Sequence, residues 1–354
     1  MNLADTANSA ALKPGVSVIV CCYNSSRTIT PTIGALSVQK IPENAGFEVI
    51  LVDNNCTDDT VSRARRAWTN PRFPLRVVRE MKPGLMHARV TGLKSVHHRI
   101  TLFVDDDNVL RTDWIAKLIR IYGENPRVGA VGGYNRATFP GEKPEWFDLV
   151  EGVYACGPRD SGPGLNPKKM FGAGLSFRTR ALESALFSEL PLFLVGRTGD
   201  DLSRGDDTEI SLRLRLKGWD FYYDDSLVLH HNLPRNRLNW RYVCQARKRG
   251  GEVSLLLKFY RDLLNGRETL SYGDAVRLVC RKWKKFFADN KLNSIGIRKA
   301  GSGSSIRFYR LVGMTRGLLI WKSRYSGIRR QILNHFQIQE ERKAGGSGGE
   351  RLKD

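Results

Sequence analysis

Thr101-Leu102-Phe103-Val104-Asp105-Asp106-Asp107-Asn108 runs four residues suited to a buried strand straight into three consecutive carboxylates. Adjacent acids repel one another and aspartate is disfavoured in strands, so such an ending is costly. A divalent cation at the strand's end would offset the cost, because hard cations take carboxylate oxygens. A polar turn leading into a helix near Asp113 accounts for the same residues without a metal, and the stretch alone does not choose between the two.

Upstream, a strand, a polar residue and a helix follow one another repeatedly. Residues 16–21 (VSVIVC) give way to Tyr23-Asn24-Ser25-Ser26, and Ser26 suits the cap of a helix carrying Ile29, Ile33, Leu36 and Val38. Residues 47–52 predict a strand ending at Asp53, with a helix over 58–68. A third strand over 75–79 and a helix over 85–96 complete the run into the opening stretch. Alternation of this length predicts a parallel sheet with helices on both faces. Ligands gather at the carboxyl ends of strands in such sheets, where Asn24, Asp53 and the three aspartates fall.

Downstream, a helix over 114–122 and an apolar run over 128–133 precede an irregular glycine- and proline-rich region, 137–167. Residues 171–178 (FGAGLSFR) predict a loop entering a strand, with glycines that admit close backbone approach or simply make a turn. Residues 205–218 (GDDTEISLRLRLKG) predict a helix with Asp206, Asp207 and Glu209 in its first turn and Arg213, Arg215 and Lys217 later. Its dipole alone accounts for that order. Leu212 and Leu216 share one face, Ile210 and Leu214 the next. A strand over 227–229 leads to His230 and His231, which suit a core position as readily as a metal.

From Trp240 onward the chain reads as helical and basic, over 243–260, 272–287 and 306–321, with a Gly/Ser hinge at 301–305 and a flexible tail. The net charge is +21, and residues 235–330 hold 24 Lys/Arg against 5 Asp/Glu, nearly the whole excess. Basic helices bearing Trp and Phe suit an anionic membrane surface. A solvated basic layer is the plainer alternative, and no nucleic-acid motif accompanies the charge. The six cysteines lack the spacing of a zinc site, and four of them, in apolar or helical contexts, predict buried thiols in a reducing cytosol. Neither a signal-peptide core nor a membrane-spanning apolar run is present, so the protein is expected in the cytoplasm, with peripheral attachment to the inner membrane face as an option. The expected divisions are a leader (1–14), a catalytic domain (15–250), a basic helical region (251–335) and a tail (336–354).

Eight segments in order resemble the family 2 glycosyltransferases: SVIVCCYNSSRTI (17–29), ILVDNNCTDDT (50–60), EMKPGLMHARVTGLK (80–94), FVDDDN (103–108), GAVGGYN (129–135), FGAGLSFR (171–178), GDDTEISLRLRLKGW (205–219) and HHNLPRNRL (230–238). The likeness covers roughly residues 16–249 and implies a GT-A fold, a Rossmann-like α/β architecture with a mixed, mostly parallel sheet. It also implies inverting transfer of a sugar from a nucleotide-diphospho-sugar, a UDP-sugar for preference, to a hydroxyl of a glycan or lipid-linked acceptor.

The resemblance implies residue roles as well. Asp53 matches the acid that recognises the nucleotide base, with Asn24 in the same wall and Arg89 near the base or diphosphate. Asp105 and Asp107 match the DxD acids, Asp107 as the direct ligand of Mn²⁺ or Mg²⁺, with Asp106 between them on the donor side. Gly172 and Gly174 belong to the acceptor-side loop. Asp207 matches the general base, and Asp206 stands where the family has Glu, which leaves the base open between the two. Spacing to Pro234 and Arg237 favours His231 over His230 as a metal partner, and Arg235 and Arg237 are candidate diphosphate contacts. A sugar nucleotidyltransferase would need a glycine-rich basic loop after the first strand, which CCYNSSRT lacks. A catalytically silent, membrane-docked binder would have little reason to keep Asp53, Asp105, Asp107 and Asp207.

Overall fold

Side-chain alternation along the first strand, β1 (Lys13–Cys22), sorts the core into two layers. Val16, Val18 and Val20 face one layer and Ile19 the other, all fully buried. The computed structural model describes residues 11–158, 162–167, 170–196, 204–290 and 300–345. Residues 1–10 of the expected leader and 346–354 of the expected tail lie outside the described residues.

The first half follows the predicted alternation: α1 (Ile29–Ser37), β2 (Gly46–Asp53), α2 (Thr60–Ala67), β3 (Leu75–Arg79), α3 (Leu85–Lys94) and β4 (His98–Asp105). β3, β2, β1 and β4 lie side by side, all parallel. Then the hand changes. The short β8 (Ser176–Arg178) runs antiparallel between β4 and β6 (Val128–Thr138), and β6 pairs in parallel with β9 (Asp220–Asn232). β5 (Asn108–Leu110) and β7 (Gly164–Leu165) add antiparallel to β9. The sheet is therefore mixed and mostly parallel. Helices α1, α2 and α4 (Trp114–Glu124) pack on one face; α3, α5 (Thr179–Leu186) and α6 (Asp206–Leu216) pack on the other.

Two predicted elements are longer than expected. β9 spans thirteen residues where only 227–229 read as strand. Its register slips against β6 between Gly133 and Tyr134, and the displaced residues, 225–227, break the alternation that signals a strand. The boundary expected at 250 falls inside one unbroken helix, α7 (Trp240–Leu264), capped by the Asn239 side chain, which accepts from the Tyr242 amide.

α7 packs with α8 (Tyr272–Asn290), α9 (Gly303–Trp321) and α10 (Tyr325–Gly345) around a separate apolar core. α7 and α9 cross backbone to backbone: a methyl on Gly313 would strike the Lys248 carbonyl, and one on Gly317 the Glu252 carbonyl. The predicted hinge at 301–305 is instead a helix start. Ser302 caps α9, and fully buried Ser305 accepts from the Trp240 indole at 3.2 Å. All six cysteines are free; Cys22, Cys156 and Cys244 are buried as expected, but Cys280 is exposed on α8. Among the described residues, no helix is long and apolar enough to cross a membrane.

α6 is buried on both sides. Ile210 and Leu214 join the core against the sheet, and Leu212 joins the helical bundle. Arg213, 1% exposed, donates to Glu209 at 2.7 Å and to the Leu190 carbonyl at 2.7 Å. Glu209 also accepts from the Leu194 amide and from the Tyr260 hydroxyl of α7 at 2.8 Å. This buried pair, with Glu209 also held by the Tyr260 hydroxyl, ties α6 to α7. Arg213, which read as a dipole-matching cation, is a structural clamp.

Candidate active site

β4 delivers Asp105 to the carboxyl edge of the sheet, and the turn at 106–107 passes directly into β5. Asn108 of β5 pairs with His231 of β9, which sets Asp107 beside the imidazole. His231 Nε2 lies 3.4 Å from Asp107 Oδ1, and Arg237 Nη1 lies 3.5 Å from Asp107 Oδ2. His230, one residue along, takes the opposite face of the strand. Asp106 points toward α1: its carboxylate accepts from Ser25 Oγ, and its carbonyl accepts from Thr32 Oγ1 at 3.0 Å.

This acidic turn is electrostatically uncomfortable. Burial raises the Asp105 carboxyl, and the neighbouring Asp107 raises it further, against relief from Arg89. Burial and Asp107 likewise push Asp106 up to about 7. Burial would lower His231, but Asp107 outweighs it and the imidazole is raised well above its ordinary value. Hard carboxylate oxygens from Asp105 and Asp107, with one imidazole alongside, match the donors that Mn²⁺ or Mg²⁺ prefers. A cation would also relieve the repulsion that raises these acids. By this test the residues fit. Among the described residues, however, no three His, Cys, Asp or Glu side chains already stand around one point as a metal shell.

Across the cavity, α6 opens on Gly205, whose φ of 107° suits glycine, and presents Asp206 and Asp207 in its first turn. Arg89 of α3, 4% exposed, donates to Asp206 Oδ2 at 2.8 Å and to Asp207 Oδ1 at 2.5 Å. Burial would lower the Arg89 guanidinium, but Asp207 and Asp206 raise it and keep it charged. The two acids differ sharply: the Asp206 side chain is 7% exposed and that of Asp207 is 37% exposed. Burial and then Asp207 push Asp206 up to about 7, against the pull of Arg89. Both line the cavity, and Asp207 is the more exposed member of the pair. Gly172 lies against it so tightly that a methyl there would overlap its carboxylate.

One cavity of about 800 Å³ is lined by Asp105, Asp106, Asp107, Asp206, Asp207, Arg89, Gly172 and His231. Several expected site residues stand elsewhere. Asp53 and Asn24 do not line it; Asp53 Oδ1 accepts the Cys56 amide at 2.8 Å, and Asn24 Oδ1 accepts the Thr57 amide at 2.8 Å. Their neighbours Tyr23, Asn54 and Asn55 form that wall. Arg89, expected at the donor's base or diphosphate, has its guanidinium engaged by the α6 acids. Gly174, with a φ of 69°, sits behind the cavity against Trp114 and Leu229. Sequence reasoning missed Arg204, Tyr154 and Tyr242, which also line the cavity; Tyr154 and Tyr242 stack at 5.4 Å. Nothing in their spacing signals a site.

Residues 17–174 match the family described as Glycosyl transferase family 2. The matched stretch is a family 2 glycosyltransferase domain. This glycosyltransferase is 24% identical over 245 residues to the succinoglycan biosynthesis protein ExoM of Rhizobium meliloti, covering 67% of this chain and 73% of that one. It is 28% identical over 122 residues to a poly-beta-1,6-N-acetyl-D-glucosamine synthase of Staphylococcus epidermidis, covering 34% of this chain and only 29% of that synthase. Its fold matches the mannosyltransferase PcManGT of Pyrobaculum calidifontis, solved with GDP-Man and Mn²⁺, with a TM-score of 0.56 and 19% identity. That match covers 89% of this glycosyltransferase and 90% of PcManGT, so it takes in much of the helical region and carries the GT-A assignment.

Proposed function

We propose that this glycosyltransferase moves a sugar from a nucleotide-diphospho-sugar to an acceptor hydroxyl with inversion at the anomeric carbon, in the assembly of a polysaccharide or glycoconjugate. The observation that carries this reading is the placement of an acidic turn and a half-exposed carboxylate in the same cavity. The nucleotide base would meet the wall of Tyr23, Asn54 and Asn55. A divalent cation held by Asp105 and Asp107, with His231 beside them, would supply positive charge to the diphosphate oxygens. Arg237, near Asp107, is placed to meet the same anionic group.

Asp207 is the proposed base. Its exposed oxygen would accept the acceptor's hydroxyl proton as that oxygen bonds to the anomeric carbon, while the bond from that carbon to the diphosphate breaks on the opposite side. Arg89 holds the Asp207 carboxylate in place through its ion pair, and buried Asp206 shares that guanidinium. A positioned base of this kind contributes typically ~10²–10⁴-fold in rate. The basic face of α8, with Arg281, Lys282, Lys284 and Lys285 exposed around Trp283 and Phe287, supports peripheral docking on an anionic membrane.

The test is a panel of UDP-, GDP- and TDP-sugars, scored by Mn²⁺-dependent thermal stabilisation and by release of free nucleoside diphosphate. One sugar nucleotide should give both signals. Stabilisation without release would mark a silent binder, and the absence of both would overturn the proposal.

A further inference from the structure

Behind the wall that carries His231, the chain makes a turn that needs an outside tether. Ala155 takes a left-handed backbone, with φ of 56°, which is unfavourable for a residue with a Cβ. Asn135 of β6 holds it there. The Asn135 Nδ2 donates to the Ala155 carbonyl at 2.9 Å and to the Ala173 carbonyl at 3.1 Å, and the Asn135 carbonyl accepts the Gly157 amide at 2.9 Å. The residue between, Cys156, is thereby turned inward. It is 2% exposed, within the apolar cluster of Phe147, Val150 and Tyr242, and it does not line the cavity, although Ala155 and His231 do.

The Cys156 thiol has two polar neighbours among the described residues. Its sulfur lies 3.3 Å from the Tyr154 carbonyl and 3.7 Å from His231 Nδ1. A carbonyl oxygen can only accept, so the one thiol hydrogen goes to Tyr154. Toward His231 the sulfur is left as an acceptor, and Nδ1 brings the hydrogen. The ring nitrogen that remains to offer a lone pair is Nε2, which faces Asp107 Oδ1 at 3.4 Å. Strand pairing alone does not decide this. It pins the His231 backbone on both sides, to Asn108 and to Ala137, but a histidine ring has two broad settings about χ2.

We propose that Cys156 is a positioning residue for the cation site: it fixes the orientation and tautomer of the His231 ring, so that Nε2 rather than Nδ1 is presented beside Asp107 to Mn²⁺ or Mg²⁺. Imidazole ligands are commonly set in this way by an acceptor on the far nitrogen, usually a carboxylate, a backbone carbonyl or water. In this chain a buried thiol takes that place. The inference rests on the reading of Asp107 and His231 as the cation's side of the cavity, and deepens it.

The measurement is the affinity of the full chain for Mn²⁺ alone, read from the paramagnetic resonance of the free ion, with the thermal midpoint recorded in parallel. Cys156→Ala and Cys156→Ser leave similar space and differ by one hydroxyl, so the acceptor separates them. Cys156→Ala should weaken Mn²⁺ binding by ~10-fold or more, the usual cost of losing such a partner, and Cys156→Ser should bind close to wild type. On a His231→Gln background, Cys156→Ala should add nothing further. Equal losses in the Ala and Ser variants would overturn the proposal, because packing would then explain them. So would additive losses on the His231→Gln background. If His231→Gln weakens Mn²⁺ and Cys156→Ala does not, the role of Cys156 fails and the cation reading stands. If His231→Gln leaves the affinity unaltered, His231 is no ligand and both fail.

Discussion

Gly172→Ala should disable the enzyme while leaving it folded and able to hold its donor. A methyl at that position would overlap Oδ2 and Cγ of Asp207 and stand 2.8 Å from Oδ1. Restoring an ordinary non-bonded separation of about 3.5 Å moves the carboxylate by more than about 1 Å. The retreat costs the fold little, because Asp207 is the end of a half-exposed side chain. It is expensive for chemistry, where ~1 Å of misplacement can cost ~10²-fold. We expect kcat to fall by about that factor, roughly 2.7 kcal/mol of transition-state stabilisation, with nucleoside diphosphate affinity and the thermal midpoint near wild type. Release of nucleoside diphosphate under saturating donor and acceptor reads the loss directly. The double variant with Asp207→Asn supplies the sharper check: if both changes act through one carboxylate, the pair should be no slower than Asp207→Asn alone. Additive losses, or a Gly172→Ala enzyme of near-normal kcat, would refute the reasoning.

Three further outcomes follow from the same geometry. Asp207→Asn should retain donor affinity and lose ~10²–10⁴-fold in kcat, and near-normal turnover would transfer the role of base to Asp206. Asp107→Ala should abolish the Mn²⁺ dependence of nucleoside diphosphate binding in calorimetry, and an unchanged titration would remove Asp107 from the cation site. At the far end of the sheet, burial pushes the Glu48 carboxyl up, but hydrogen bonds with His98, Ser17, Arg76 and the His97 amide outweigh it and hold the group well below its ordinary value of 4.5. A depressed carboxyl stabilises the fold above its unfolded pKa and loses that contribution as pH falls. Glu48→Gln should therefore cost roughly 2–3 kcal/mol near neutral pH. The gap in thermal midpoint between variant and wild type should narrow below pH 4.5, and a gap independent of pH would count against the ionised network.

Chain order and side-chain period carried the first half of the fold. β1, β2 and β4 are runs of β-branched and aliphatic residues broken by polar ones, and a strand buried on both faces leaves that trace. The carboxylates of the candidate site were legible for a related reason: acids at strand ends and at a helix start are costly or conspicuous, and therefore visible. The insertion of β8 against β4 was not, because three residues carry no periodic signal and only the pairing gives them direction. Arg213 was misread because its place in the last turn of α6 satisfies dipole logic, while its burial depends on Tyr260 and the loop at 191–194, distant in sequence. The division at 250 followed the point where the family likeness fades, which says nothing about where a helix ends. Ser302 and Ser305 looked like linker residues because a capping hydroxyl and a buried one have the same composition as a flexible one.

The grip of Arg213, Glu209 and Tyr260 has a practical corollary for anyone trimming this chain. A piece ended at the apparent domain limit would sever α7 in mid-course, strand two buried charges on α6 without their phenol, and bare Leu212 to solvent. The first turn of that helix carries the acids on which turnover is proposed to depend, so the damage would reach the chemistry before it reached the sheet. The smallest transplantable enzyme thus includes the helical bundle, and moving α6 between relatives means moving the bundle with it.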